Sequence, residues 1–354
     1  VTTPLPLCVI GGGVIGLRHA EVSAVSPRIE LTAIVEPDET RQKDLRDMGL
    51  PVVTSVGDVP DRTRAAIVAT PTPAHLASTR AALERGWPVI AEKPLAETLD
   101  AARALIAAAE AADLPLFTGH HRRCHPFSLS ARDALGQIGA PVGVQGLWSL
   151  RKHDTYYDVP WRTQPGAGPL LTNLSHEIDL LGFLFGRVTE ATALISSARR
   201  GFEIEDSAAI SLRFDNGALG SFLMSDAGAS PWAFEAASGE NPAIAASGED
   251  YLRFVGTEGA LAFPSLTFWG RSAPGEIEWS KPLRRREGQS FDRVDPLLEQ
   301  IERFARVVAG GADDVLCTGQ DGLDALEMTL AVALSARQGA PVARGAVPGD
   351  YSGV

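Results

Sequence analysis

Gly11-Gly12-Gly13-Val14-Ile15-Gly16 has the spacing G-x-G-x-x-G and follows directly on the apolar run Leu5–Ile10. In that context the first glycine makes a tight turn. The second lets backbone approach a pyrophosphate, and the third lets a helix pack closely on its strand. Val14 and Ile15 begin that helix, whose first turn presents free N–H groups to phosphate. Twenty residues beyond Gly16 the next apolar run ends at Glu36. A carboxylate there bonds ribose hydroxyls and repels a 2′-phosphate, which favours NAD(H) over NADP(H). The alternative, a Rossmann-like domain without a dinucleotide, is weakened by the two features together.

Two further side chains could do the chemistry. Lys93, in Ala91-Glu92-Lys93-Pro94, closes the fifth apolar run. Ligands of parallel sheets bind beyond the carboxyl ends of the strands. The chain has four lysines, Lys43, Lys93, Lys152 and Lys281, against a background of arginine. An ammonium beside a reacting hydroxyl stabilises a developing alkoxide, although a surface lysine at a loop start would read the same locally. His176 lies in Asn173-Leu174-Ser175-His176-Glu177-Ile178-Asp179. Thr172 or Asn173 can cap a helix here. Leu174, Ile178, Leu181 and Phe185 make one buried stripe, with His176 on the opposite side and Asp179 one turn later. The helix start disfavours an imidazolium while Glu177 and Asp179 favour it. A neutral imidazole can take a proton from a hydroxyl. Spacing alone leaves an exposed histidine on a solvated face as an equal reading.

These groups need a scaffold. The runs Leu5–Ile10, Ile29–Val35, Pro51–Val53, Ala65–Ala69, Pro88–Ala91 and Pro115–Thr118 alternate with helix-like segments, notably Ala74–Arg85 and Thr98–Ala112. That predicts an α/β Rossmann domain, a doubly wound parallel sheet whose strands are apolar on both faces. Beyond about residue 140 the runs Val142–Leu150, Thr189–Ser196, Ala208–Phe214, Ala218–Leu223, Tyr251–Val255 and Ala260–Phe263 read as strands, with Asp215-Asn216-Gly217 as a turn. This predicts an α+β domain with a large, mostly antiparallel open sheet. Residues 228–249 read as a loop, and Pro296–Ala309 and Gly322–Gln338 as closing helices able to pack back on the first domain. The expected division is 1–122 for the nucleotide domain and 123–354 for the domain that carries substrate and makes oligomer contacts.

Composition excludes several classes. The net charge of −12 argues against nucleic acid. Arg284-Arg285-Arg286 is too short to hold an anionic membrane and reads as a solvated turn. No apolar run reaches the ~20 residues of a membrane span, and no signal-peptide pattern opens the sequence, so cytoplasm is expected. Cys8, Cys124 and Cys317 are scattered and lack metal-ligand spacing. They read as buried or incidental thiols in a reducing compartment, and no metal is expected.

The motifs Gly11-x-Gly13-x-x-Gly16, Glu36-Pro37-Asp38, Thr70-Pro71-x-x-x-His75, Glu92-Lys93-Pro94, Arg122-Arg123-x-x-Pro126, Trp161-Arg162 and the segment Gly166–Gly186 with His176 and Asp179 follow one another in this order from Gly11 to Gly186. The set resembles the glucose–fructose oxidoreductase/inositol dehydrogenase (Gfo/Idh/MocA) family. The resemblance implies NAD(P)-dependent oxidation or reduction of a sugar, cyclitol or related carbinol or ketone, with Lys93 and His176 as the catalytic pair. It also implies that Thr70, Pro71, Thr72, His75 and Glu92 line the cofactor. Two departures stand out. Many members carry aspartate four residues before the histidine, where this chain has Thr172 beside Asn173; neither relays a proton as a carboxylate does. His120-His121 replaces the usual apolar or amide residues, and His121 is a candidate to face nicotinamide or substrate. Relatives commonly associate through the open sheet, which implies a homodimer or homotetramer.

The substrate contacts expected from the second domain are Arg123, His153, Tyr156, Tyr157, Trp161, Arg162, Thr172, Asn173 and Trp232. Aromatics and hydrogen-bonding groups suit a polyol, which has apolar C–H faces and many hydroxyls. Two rivals remain: a non-catalytic dinucleotide sensor of the same fold, and a dehydrogenase of a dihydrodiol or aromatic-derived semialdehyde.

Overall fold

The computed structural model describes residues 3–241, 243–271, 277–288 and 294–354. The chain opens with β1 (Leu5–Ile10), α1 (Val14–Val25), β2 (Ile29–Val35), α2 (Glu39–Asp47), β3 (Val52–Val53), β4 (Ala65–Val68), α3 (His75–Glu84), β5 (Val89–Ala91), α4 (Leu99–Ala111) and β6 (Leu116–Thr118). It continues with α5 (Pro126–Leu135), β7 (Pro141–Ser149), α6 (Pro169–Thr172), α7 (Leu174–Leu184), β8 (Val188–Ser196), β9 (Ser207–Phe214), β10 (Leu219–Ser225) and α8 (Phe234–Ser238). The last elements are β11 (Leu252–Gly256), β12 (Gly259–Phe263), β13 (Phe268–Arg271), β14 (Leu283–Arg286), α9 (Pro296–Val308), α10 (Gly319–Gln338) and β15 (Val342–Ala343). Two compact units result: residues 1–124 with 295–326, and residues 125–294 with 327–354.

In the first unit six parallel strands stand in the order β3-β2-β1-β4-β5-β6. Leu7, Cys8 and Val9 in β1 and all of β4 are fully buried, as expected of strands covered on both faces. The strand order reverses between β1 and β4, so the ligand crevice of such a sheet lies beyond their carboxyl ends. Those ends lead into Gly11 and Ala69-Thr70.

In the second unit the described residues form a nine-stranded sheet, β14-β13-β12-β11-β7-β10-β9-β8-β15. Its neighbours are antiparallel except β7 with β10, which run parallel. The side chains of β9 alternate: Ala208, Ile210, Leu212 and Phe214 are buried, while Ala209, Ser211 and Arg213 are exposed. Phe185, just after α7, packs on Phe214 and Phe254 with ring centroids 5.3 and 5.2 Å apart, fixing α7 to the inner face.

Four expectations need correction. Helix α7 is not a one-stripe helix with a wet side, because every residue from Leu174 to Leu181 is buried. Asn173 occupies the N-cap position but makes no side-chain cap bond; its Oδ1 instead accepts from Lys152 Nζ and shares the Thr172 O–H. Arg284–Arg286 lie in strand β14 and not in a turn: they pair with β13, and the Arg286 guanidinium covers the Phe268 ring at 4.7 Å. Charged side chains of this kind protect a sheet edge from further pairing. The expected loop at 228–249 contains the short helix α8. Among the described residues no helix is long and apolar enough to cross a membrane.

Candidate active site

The glycine turn is built as its spacing requires. A Cβ on Gly11 would come within 2.7 Å of the Ala69 backbone, and Gly11 has φ +108°. A Cβ on Gly16 would stand 1.9 Å from the Gly11 carbonyl oxygen. Both positions are closed by the protein itself. Gly13 differs, because a Cβ there meets nothing within 4 Å, so only a ligand approaching the N-terminus of α1 would constrain it. Glu36, at the end of β2, accepts from the Gly12 N–H at 2.9 Å and from the Asp38 N–H at 3.0 Å. Arg41 Nε donates to the Gly12 carbonyl at 2.6 Å. The turn and the carboxylate are thus one hydrogen-bonded body. At the end of β4, Thr70 Oγ1 is shielded from solvent and has no hydrogen-bond partner among the described residues. An open glycine, an oriented carboxylate and an unpartnered hydroxyl at the switch point fit a dinucleotide.

Beyond β5, Glu92 is buried and ionised. Burial by itself would raise its carboxyl; the hydrogen bond and charge of His19, with the charges of His121 and Lys93, outweigh burial and hold it down at about 2. His19 Nε2 lies 2.7 Å from Glu92 Oε1, and the Lys93 N–H donates to Glu92 Oε2 at 3.1 Å. Gly119 leaves room for this carboxylate, since a Cβ there would come within 2.9 Å of it. The Lys93-Pro94 bond is cis. His75 is buried; its Nε2 faces the Thr70 carbonyl at 2.9 Å and its Nδ1 the Pro94 carbonyl at 3.0 Å. It ties the loop after β4 to the loop after β5. Pro71 caps the short helical turn Thr72–Ala74 that leads into α3. His121 opens the helical turn His121–Cys124, and Arg123 is ion-paired with Asp321 at 3.1 Å.

The second unit holds the other candidates. His176 is buried in the first turn of α7, and the next residue, Glu177, accepts from the Tyr251 hydroxyl at 3.1 Å. The single Thr172 O–H is shared between the Gly168 carbonyl at 2.9 Å and Asn173 Oδ1 at 3.0 Å. Asn173 Oδ1 also accepts from Lys152 Nζ at 3.2 Å. Lys152 stands 3.5 Å from the buried carboxylate of Asp226, which also takes the Tyr157 hydroxyl at 2.5 Å and Arg200 Nε at 3.2 Å. Burial lowers the pKa of Lys152, only partly offset by Asp226. Burial, with the hydrogen bond to Asp226, raises that of Tyr157. Arg162 lies over the Tyr156 ring at 4.1 Å and donates to the Tyr156 carbonyl, bracing the loop from His153 to Thr163. Trp161 and Trp232 are both exposed.

Two family models cover most of the chain. "Oxidoreductase family, NAD-binding Rossmann fold" matches residues 6–120, and "GFO/IDH/MocA C-terminal domain" matches residues 129–262. The chain belongs to the Gfo/Idh/MocA oxidoreductase family. A 1,5-anhydro-D-fructose reductase of Ensifer adhaerens is 32% identical over 80% of each chain. Myo-inositol dehydrogenase Hyg17 of Streptomyces leeuwenhoekii is 28% identical over 96% of this chain and 100% of its own. An oxidoreductase from Agrobacterium radiobacter, solved with NAD+, L-tartaric acid and magnesium, superposes with a TM-score of 0.79 at 21% identity, covering 97% of this chain and 99% of that one.

Within this Gfo/Idh/MocA chain three structural partners escape the motif reading: His19, Lys152 and Asp226. His19 sits three residues after Gly16 on a helix with little polar/apolar contrast, where a buried histidine gives no local sign of its carboxylate. Lys152 is one of four lysines and belongs to no motif. Asp226 follows β10 and gathers partners from Lys152, Tyr157 and Arg200, which are remote in sequence.

Proposed function

We propose that this oxidoreductase is an NAD(H)-dependent dehydrogenase or reductase of a sugar- or cyclitol-like carbinol, with Lys93 and His176 as its catalytic pair. The observation that carries the proposal is the match of both family models to a chain that keeps this lysine and this histidine. The names of the reductase and inositol dehydrogenase relatives support the substrate class, and Glu36 favours NAD(H) over NADP(H).

When bound, the nicotinamide accepts or returns the hydride of the carbinol carbon. Lys93 donates a hydrogen bond to the reacting oxygen and favours its anionic character. His176 takes the hydroxyl proton in oxidation and returns it in reduction. Glu92 holds the Lys93 backbone and stays ionised throughout the working range. No carboxylate stands at residue 172, so the proton held by His176 leaves without the relay common in the family. Thr172 and Asn173 orient substrate hydroxyls instead.

The test is single-turnover NADH formation with a panel of polyols, cyclitols and their ketones, extended to dihydrodiols and semialdehydes. Lys93→Ala and His176→Ala should each lower kcat by about 10²–10⁴-fold while leaving NAD affinity within about threefold. Full turnover in both variants removes the catalytic assignment. Dinucleotide binding without turnover on any compound favours the sensor.

The same reading includes a homodimer or homotetramer. The outer sheet face carries a cross-strand row, Leu194 on β8, Ala209 on β9, Leu223 on β10 and Leu147 on β7, with Leu194 and Leu223 exposed. A second copy covering this row would remove apolar surface from water.

A further inference from the structure

Within the second unit a cavity of about 410 Å³ is lined by Arg151, Asp154, Tyr157, Arg199, Arg200 and Phe202. Among the described residues its wall presents three guanidiniums and one carboxylate, with a second carboxylate, Asp226, buried behind Arg200, so one guanidinium is in excess on a chain whose net charge is −12. A neutral polyol gives such a wall hydroxyl oxygens to bond but no charge to pair with. A carboxylate or phosphate does, because the planar guanidinium fork donates two parallel hydrogen bonds to an oxyanion.

The wall is a built one. Arg200 has a side chain only 9% exposed. Its Nη2 donates to the carbonyls of Lys152 at 3.0 Å and Asp226 at 2.6 Å, and its Nε donates to the Asp226 carboxylate. The guanidinium stacks over the Tyr157 ring at 4.4 Å, and the Tyr157 hydroxyl is bonded to the same carboxylate. The remaining Arg200 nitrogen, Nη1, stands 3.6 Å from Asp154 Oδ1, which also takes Arg151 Nη2 at 3.3 Å. Asp154 is 79% exposed. A solvated carboxylate shared by two guanidiniums marks where an external oxyanion would compete. The backbone N–H groups of Arg199 and Arg200 both donate to Asp206, which holds the β8–β9 loop so that it presents both side chains. Lys152 joins this wall to α7: its carbonyl accepts from Arg200 and its ammonium donates to Asn173, at the start of the helix that carries His176.

We propose that this cavity is an anion subsite, and that the sugar-like ligand of this protein carries a carboxylate or a phosphate. That this ligand is also the substrate rests on the dehydrogenase reading above; the binding preference does not.

The test measures binding calorimetrically to the full chain at low salt, with D-glucose, D-glucuronate, D-glucose 6-phosphate and inorganic phosphate. It uses the native protein, Arg151→Ala/Arg199→Ala and, in case the double variant melts early, the single exposed change Arg199→Gln. One anionic sugar should bind at least tenfold more tightly than glucose, and the preference should collapse in the double variant and shrink in the single one. Which anionic sugar wins tells carboxylate from phosphate. Equal affinity for neutral and anionic sugars overturns the proposal, as does a preference unchanged by the variants. Inorganic phosphate bound as tightly as the sugar anions means an adventitious ion only, and overturns it too. Anion preference without NADH formation on any compound would leave the subsite standing and remove the dehydrogenase reading. Turnover of neutral sugars without anion preference would do the reverse.

Discussion

His19 Nε2 and Glu92 Oε1 lie 2.7 Å apart with both side chains buried, one from the helix after the glycine turn and the other from the end of β5. The contact joins the segment that would hold phosphate to the residue before Lys93.

Breaking that pair leaves a buried carboxylate without its main partner. His19→Ala should cost roughly 3 kcal/mol of unfolding free energy, read by denaturant titration. The pH dependence has a definite sign. The Glu92 carboxyl, ordinarily near 4.5, sits at about 2 in the folded protein. Its contribution is therefore complete above about pH 4.5 and is lost as pH falls toward 2. The stability difference between the native protein and Glu92→Gln should shrink across that window; a constant difference from pH 6 to 3 would contradict the ionised pair.

Two of the motif glycines should separate by what each faces. Gly16→Ala drives a Cβ to 1.9 Å from the Gly11 carbonyl and should destabilise the protein by about 1–3 kcal/mol. Gly13→Ala meets no protein atom within 4 Å, so its melting temperature should hold while NAD affinity falls at least tenfold. Calorimetry of both variants with and without NAD decides this.

Glu36→Gln keeps one of the two acceptors that fix the turn and removes the charge that opposes a 2′-phosphate. The ratio of kcat/KM for NADP+ to that for NAD+ should rise at least tenfold. An unchanged ratio would mean that another group sets cofactor choice.

Sedimentation should give the native chain a mass of at least twice 37.4 kDa. Leu223→Glu, on the exposed row of β10, should shift it toward the single-chain mass without changing the far-UV circular dichroism. A native protein that sediments as a single chain would remove the association proposal.

β1 and β2 coincide with the apolar runs Leu5–Ile10 and Ile29–Val35, and β4 to β6 differ from theirs by a residue at an end. A strand buried on both faces writes its extent as mostly apolar sequence, interrupted in β2 by the exposed Glu30 near its start. The same rule fails at sheet edges: β14 is exposed along its whole length and reads Leu-Arg-Arg-Arg, and β15 is two residues long. Neither has an apolar pattern to declare it.

The glycine spacing, Glu36, Lys93 and His176 could be singled out from sequence because each depends on a local rule, a turn, a strand end or a helix start. The partners of those groups were decided by tertiary structure alone. His19 with Glu92 spans 73 positions, and Tyr157 with Asp226 spans 69. Burial made each such carboxylate need a partner, and only the path of the folded chain determined which donor stood within reach. The burial of α7 on all sides has the same origin: its own periodicity describes one apolar stripe, and what covers the remaining faces is contributed by segments far away in the chain.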